Sequence, residues 1–142
     1  MATRRTLRSA QAAPLVLDPA TPCPCGLPAT YAACCERFHR GGAAPTAELL
    51  MRSRYCAFAV RDADHLLRTW HPSTRPARLV LDPAERWLGL TILRTDLGGL
   101  LDLTGTVEFR AAYASGARPG ATQEHSAFVR SDGLWVYLDA LG

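Results

Sequence analysis

The chain has 142 residues, 48% of them hydrophobic, and a net charge of +3 from 16 basic and 13 acidic side chains. This suffices for one packed domain with a small appendage, and no apolar run approaches the ~20 residues of a membrane-spanning helix. Every cation is Arg, with no Lys in the chain; that is a bias of composition, and the small basic excess gives little support to nucleic-acid binding.

In chain order, residues 1–21 read as a loosely held arm with Arg4, Arg5 and Arg8 and no acid before Asp18. Three arginines supply little affinity for a phosphate backbone. The best apolar run, Ala12-Ala13-Pro14-Leu15-Val16-Leu17, is interrupted by proline and is no export signal, so a cytoplasmic protein is expected. In a reducing compartment, clustered cysteines point to a metal site or a redox centre before structural disulfides.

Residues 22–42 hold four of the five cysteines, in Cys23-Pro24-Cys25-Gly26 and Cys34-Cys35. Four thiolates converging on one point form the ligand set of a closed structural zinc site, with no position left for a substrate. The competing reading is a thiol-redox centre, because vicinal cysteines and a thiolate at a helix start are reactive. The segment is too short to bury a core of its own, so metal would supply its folding energy. Gly26 permits a left-handed turn, and Thr30 is placed to cap a helix from Tyr31 to about His39.

Helical periodicity then predicts a helix over 46–60, capped by Thr46, with Leu49, Met51, Tyr55, Cys56, Phe58 and Ala59 on its apolar face and Arg52 and Arg54 outside it or at its margin. Cys56 there reads as core packing. A second helix runs from Asp62 or Ala63 to about Trp70, directs Leu66, Leu67 and Trp70 inward, and ends before Pro72; Leu79-Val80-Leu81 suggests a further short element. Strands follow at 87–93, 101–113 with a bulge at Gly105, 122–130, and 134–139, the last two joined by an Asp132-Gly133 hairpin turn. Helices followed by an antiparallel meander predict an α+β fold with helices on one face of a curved sheet.

Two blocks carry a resemblance. Cys23-Pro24-Cys25-Gly26 through Cys34-Cys35 resembles the SEC-C zinc motif, known from the C-terminus of the SecA translocation ATPase. Here Gly26-Leu27-Pro28 replaces the motif's Gly-Ser-Gly, and Ala32 and Ala33 replace its basic residues. The run Leu50-Met51-Arg52-Ser53-Arg54-Tyr55-Cys56-Ala57-Phe58, with Thr69-Trp70-His71-Pro72, Trp87-Leu88-Gly89-Leu90, Val107-Glu108-Phe109 and Trp135-Val136-Tyr137-Leu138-Asp139, is similar to the YchJ family of uncharacterised bacterial proteins. The resemblance implies a zinc knuckle at 22–42, liganded by Cys23, Cys25, Cys34 and Cys35, and a nuclear-transport-factor-2-like (cystatin-like) cone over 43–142.

Such a cone commonly holds a pocket. Its candidate lining is Arg54, His71, Glu108, Glu124, His125 and Tyr137 among Tyr55, Trp70, Trp87, Phe109, Phe128 and Trp135. A small-molecule ligand would meet Arg54, Tyr55, Trp70, Trp135 and Tyr137. Glu108, Glu124 and His71 are the candidate acid–base groups, with the two glutamates expected to share a strand face. A solvated face, or a Glu–Arg pair fixing the cone, is the plainer alternative, and His71 equally suits a capping role. Three functions are open: a non-enzymatic module whose knuckle, flanked by Arg37 and Arg40, docks a protein or nucleic-acid partner while the cone serves as scaffold or small-ligand binder; a small-molecule isomerase, dehydratase or hydrolase; and nucleic-acid binding. Cones of this kind frequently dimerise through the sheet, which makes a homodimer a further expectation.

Overall fold

The computed structural model describes residues 13–142, so Arg4, Arg5 and Arg8 lie outside the described residues. From residue 13 the chain runs without regular structure toward the knuckle, tied to the body where the Leu15 N–H donates to the Val60 carbonyl (2.8 Å).

The knuckle begins as a small antiparallel bridge between Pro22 and Thr30, and Gly26 takes the expected left-handed conformation at φ 90°. Helix α1 spans only Cys35–His39. The Thr30 hydroxyl does accept from the Ala33 N–H (3.3 Å), yet residues 31–34 form a turn and Cys34 sits at φ −129°, ψ −110°. The shortening has a geometric reason. Successive side chains of a helix point about 100° apart, which would send two adjacent sulfurs in different directions; the break at Cys34 turns both to one point.

Helix α2 spans Ala47–Val60; Thr46 caps it by accepting from Leu49 N (3.2 Å), and left-handed Arg61 (φ 62°) ends it. Helix α3, Ala63–Arg68, is capped by Asp62, which accepts from His65 N (3.0 Å). The buried face of α2 is displaced from expectation. Leu50, Ser53, Arg54 and Ala57 are buried beside Met51, Tyr55 and Cys56, while Leu49, Phe58 and Ala59 are half-buried. Periodicity marks the apolar residues, but this helix is covered by the knuckle on one side and the sheet on the other, so even its Ser and Arg go inside. Residues 79–81 form no regular element; Leu81 is buried against Ala57 and Leu66.

Four strands form one antiparallel sheet in chain order: β1 Glu85–Leu97, β2 Thr104–Ser115, β3 Arg118–Ser131 and β4 Leu134–Ala140. Both Asp132 (φ 53°) and Gly133 (φ 80°) are left-handed, as a two-residue type I′ hairpin requires. The register irregularities fall not at Gly105 but in β1, between Trp87 and Gly89 and between Ile92 and Arg94, and in β4, where Leu138 is unpaired opposite Ala127 and Phe128. Gly105 has a different duty. A Cβ there would lie 2.5 Å from the Gly98 Cα, where the chain crosses itself at the β1–β2 connection. The sheet curves around α2, and its inner face supplies Val107, Phe109 and Ala111 from β2, Ser126 and Phe128 from β3, and Trp135 from β4.

Gly105→Ala should therefore cost roughly 2–3 kcal/mol, because the atom it meets is backbone and cannot rotate away. Chemical denaturation checks this, and Gly89→Ala is the control, since a Cβ at Gly89 meets nothing within 4 Å and the backbone there is not left-handed.

Candidate functional site

The Sγ atoms of Cys23, Cys25, Cys34 and Cys35 lie within 4.8 Å of one another, and all four residues are buried. Cys25 Sγ is 3.6 Å from Cys34 Sγ, which is 4.0 Å from Cys35 Sγ. A tetrahedral ion with metal–sulfur bonds of about 2.3 Å requires sulfur–sulfur edges of about 3.8 Å. The four residues are thus close enough to hold a metal ion, and the donor set is all sulfur.

Charge explains what an ion would change. Hydrogen bonds from the Cys25, Cys35 and Cys56 thiols draw the Cys23 thiol far below the usual range. Its neighbours move the other way: burial first, then the adjoining sulfurs, push Cys34 up to about 12, and the Cys23 and Cys25 sulfurs raise Cys35 steeply. The surroundings thus favour a thiolate at Cys23 and disfavour one at Cys34 and Cys35. A cation at the centre of the four favours thiolate at each. Cys56 of α2, fully buried, stands outside the four-sulfur set but packs in the same cluster, where the Cys23 sulfur raises its thiol.

The knuckle is held to α2 by polar contacts as well. Arg52 Nη1 donates to the Cys25 carbonyl (2.8 Å) while its Nε meets Glu48 (3.0 Å). A buried chain of hydrogen bonds follows. His39 Nε2 donates to the Ser53 carbonyl (2.9 Å) and its Nδ1 accepts from the Tyr31 hydroxyl (2.7 Å). Ser53 donates to the Leu50 carbonyl (2.7 Å), so its oxygen accepts from His65 Nε2–H (3.0 Å), and His65 Nδ1 accepts from Arg68 (3.0 Å). Every position is filled in the neutral form. Burial, then His39 and Arg68, press the His65 pKa down to about 3.

A second concavity lies between α2 and the sheet, a cavity of about 180 Å³. Arg54, Tyr55, Trp70, Trp87, Phe109, Glu124 and Tyr137 line it. Arg54 is 4% exposed. Its Nη1 donates to the Leu66 carbonyl (2.8 Å) and the Thr69 hydroxyl (2.7 Å), and its guanidinium lies over the Tyr137 ring (4.7 Å) and the Trp70 ring (5.1 Å). Among the described residues Arg54 forms no ion pair; burial lowers its pKa to about 10. In the same lining, Glu124 Oε2 accepts from Tyr137 Oη (3.0 Å) and from the Ser126 hydroxyl.

The other candidate residues are elsewhere. Phe109 pairs with Glu124 and Glu108 with His125, so the glutamates occupy opposite faces of the sheet, with Glu108 and His125 on the outer one; a one-residue offset in register decides this. His71 sits in the turn after α3, its N–H donating to the Tyr137 carbonyl (2.7 Å) and its Nδ1 engaging Ser73. Phe128 packs behind the lining, against Tyr137. Trp135 is buried at the other end of the sheet, its Nε1 donating to the Pro45 carbonyl (3.2 Å) beneath Arg130. Met51, Phe58, Ala111, Thr122 and Ser126 complete the lining; strand alternation from Glu124 would have found Thr122 and Ser126.

The arginines have a common use. Arg37, Arg52, Arg54, Arg61, Arg68, Arg75 and Arg130 each donate to backbone carbonyls. These cations brace loops and helix ends.

The family model described as YchJ, middle NTF2-like domain, matches residues 46–140. A UPF0225 protein of Streptomyces coelicolor is 61% identical over 122 residues, 85% of this chain and 95% of the relative. Another, from Xanthomonas campestris, is 52% identical over 125 residues, 86% and 95% of the two chains. Among solved structures, a SEC-C motif containing protein from Rhodopseudomonas palustris superposes with TM-score 0.72 at 32% identity, covering 83% of this chain and 95% of that one. A SEC-C motif containing protein from Psychrobacter arcticus also gives TM-score 0.72, at 28% identity over 87% and 84%.

The depressed His65 pKa makes a signed prediction. The unfolded imidazole takes up a proton near its ordinary value of about 6.5 and the folded one only near 3, so this contribution to stability is complete above pH 6.5 and falls away as the pH drops toward 3. Between pH 7 and 4.5 the wild type should lose about 2–3 kcal/mol more than His65→Gln. Urea denaturation of both proteins at each pH measures the difference, which cancels any acid effect on the cysteine cluster that the two share.

Proposed function

Since the chain belongs to the YchJ (UPF0225) family and carries the SEC-C cysteine pattern, we propose that Cys23, Cys25, Cys34 and Cys35 bind one structural zinc and that the protein is a non-enzymatic binding module built on it. The observation that carries this reading is the closed, buried set of four sulfurs within 4.8 Å. Sulfur-only tetrahedral ligation suits zinc, and four protein ligands leave no position at which a substrate could meet the ion. When bound, the zinc supplies the folding energy of a segment without its own core. The chain's residues do the rest: Arg52 ties the loop between the cysteine pairs to α2, and Cys56 packs in the same cluster as the sulfurs. The outer surface of the knuckle, where the Arg40 side chain is 77% exposed against Glu36, is left for a protein partner.

A second reading rests on Glu124. It is the carboxylate of the cavity, with Tyr137 and Ser126 as proton-bearing neighbours, an arrangement that suits acid–base work on a bound small molecule. Against it, both hydroxyls bond the same oxygen of the carboxylate and none is presented to a nucleophile. Nucleic-acid binding draws no support from arginines committed to carbonyls.

Native mass spectrometry of protein purified without chelator should show one zinc per chain. Cys25→Ser should lose it and unfold the knuckle, whereas Cys56→Ala should keep one zinc and lower stability by about 1–2 kcal/mol. Folded wild-type protein with well under one equivalent of zinc and oxidised cysteine pairs would replace the proposal with a redox centre.

A further inference from the structure

The cavity beneath α2 contains a cation that no carboxylate contacts, Glu124 acting on it only from a distance. Arg54 is buried to 4% exposure, and no carboxylate among the described residues comes within ion-pair distance of it. Only its Nη1 is engaged; its Nε and Nη2 find no acceptor among the described residues. Those donors are not sealed in protein, since the buried side-chain atom without a partner is Trp70 Nε1 in the same wall. A guanidinium is pre-shaped for two parallel hydrogen bonds to one carboxylate or similar oxyanion, and burying it without such a partner is costly. The faces of Tyr137 and Trp70 offset part of that cost.

Beside it, linked through Tyr137, the cavity has complementary chemistry. Glu124 Oε2 is taken up by Tyr137 and Ser126, while its Oε1 accepts nothing among the described residues. Between the two polar poles the lining is Met51, Tyr55, Phe58, Trp87 and Phe109. A cavity of about 150 Å³ accommodates benzene; this one, at about 180 Å³, accommodates one ring with a small substituent. We propose that the cavity binds a small hydroxy-carboxylic acid with an aromatic or compact apolar body: the carboxylate on Arg54, the hydroxyl donating to Glu124, the body among the aromatic side chains. The proposal deepens the binding-module reading and rests on it for the ligand leaving unchanged.

The test uses the full-length, metal-loaded protein and two probes of similar shape, mandelate and its neutral analogue 1-phenylethane-1,2-diol, followed through the indole N–H resonances of Trp70 and Trp87; the α-hydroxy acid suits the short span between Arg54 and Glu124 on either side of Tyr137. The acid should shift both resonances saturably, with the diol binding at least roughly tenfold more weakly. Arg54→Gln should remove that preference. Because loss of Arg54 can also disturb folding, Thr122→Trp at the exposed rim provides a second variant: it leaves the Arg54 hydrogen bonds in place, narrows the mouth, and should weaken the acid roughly tenfold. Equal binding of acid and diol, retention of binding in both variants, or no shift with about 10 mM acid on folded protein each overturns the proposal, the last leaving the zinc reading intact. Recovery of the acid chemically altered would instead overturn the non-enzymatic reading while upholding the ligand class.

Discussion

Helix α2 is covered from two sides. From Leu50 to Ala57 every residue except the half-buried Arg52 is buried, which no single packed surface can achieve at 3.6 residues per turn. Two surfaces do it together. The cysteine knuckle covers one side and the concave sheet the other, so a single cluster joins Cys23, Cys25, Cys34 and Cys35 to Leu50, Tyr55 and Cys56 and onward to Val107, Phe109 and Phe128. The knuckle is therefore part of the core, and whatever fixes its four sulfurs also fixes the outer wall of the cone.

This arrangement links the two sites of interest through neighbouring residues of one helix. Arg52 reaches back to the Cys25 carbonyl, Arg54 forward into the cavity, and Cys56 back again to the sulfurs. Between them Ser53 receives His65 and holds α3 in place. An error of rotation in α2 would misplace all of these together, because they are spaced along one rigid element. The α2 N-cap at Thr46 and the left-handed C-cap at Arg61 define where that element starts and stops.

The exclusive use of arginine has a structural consequence. A guanidinium bears several donors on a planar head and can satisfy more than one carbonyl at once. Arg130 alone braces the connections on either side of it by donating to Asp102, Leu100 and Gly133. Arg68 caps the end of α1 through Phe38 and His39. Loops in this small protein are thus closed by cations turned inward, and the modest net charge carries no information about a partner.

The sequence by itself determined the four-cysteine pattern, the cap at Thr46, the Asp132-Gly133 turn and the order of helices before strands, because each rests on chemistry within a few residues of chain. It also named Arg54, Glu124, Trp70 and Tyr137 among the lining, through the resemblance of their surroundings to a known fold. The tertiary structure alone decided the rest. That Glu124 faces the cavity and Glu108 the opposite side depends on strand register, where a step of one residue exchanges faces. That Arg54 is buried, against its marginal place on the helical stripe, depends on two surfaces closing over α2 from opposite sides. That Trp135 fills the far end of the sheet and His71 a turn depends on where β4 ends up, pairings set by residues far away in the chain. Local signals fix local geometry; which side chains share a cavity is decided by contacts between segments that the sequence keeps apart.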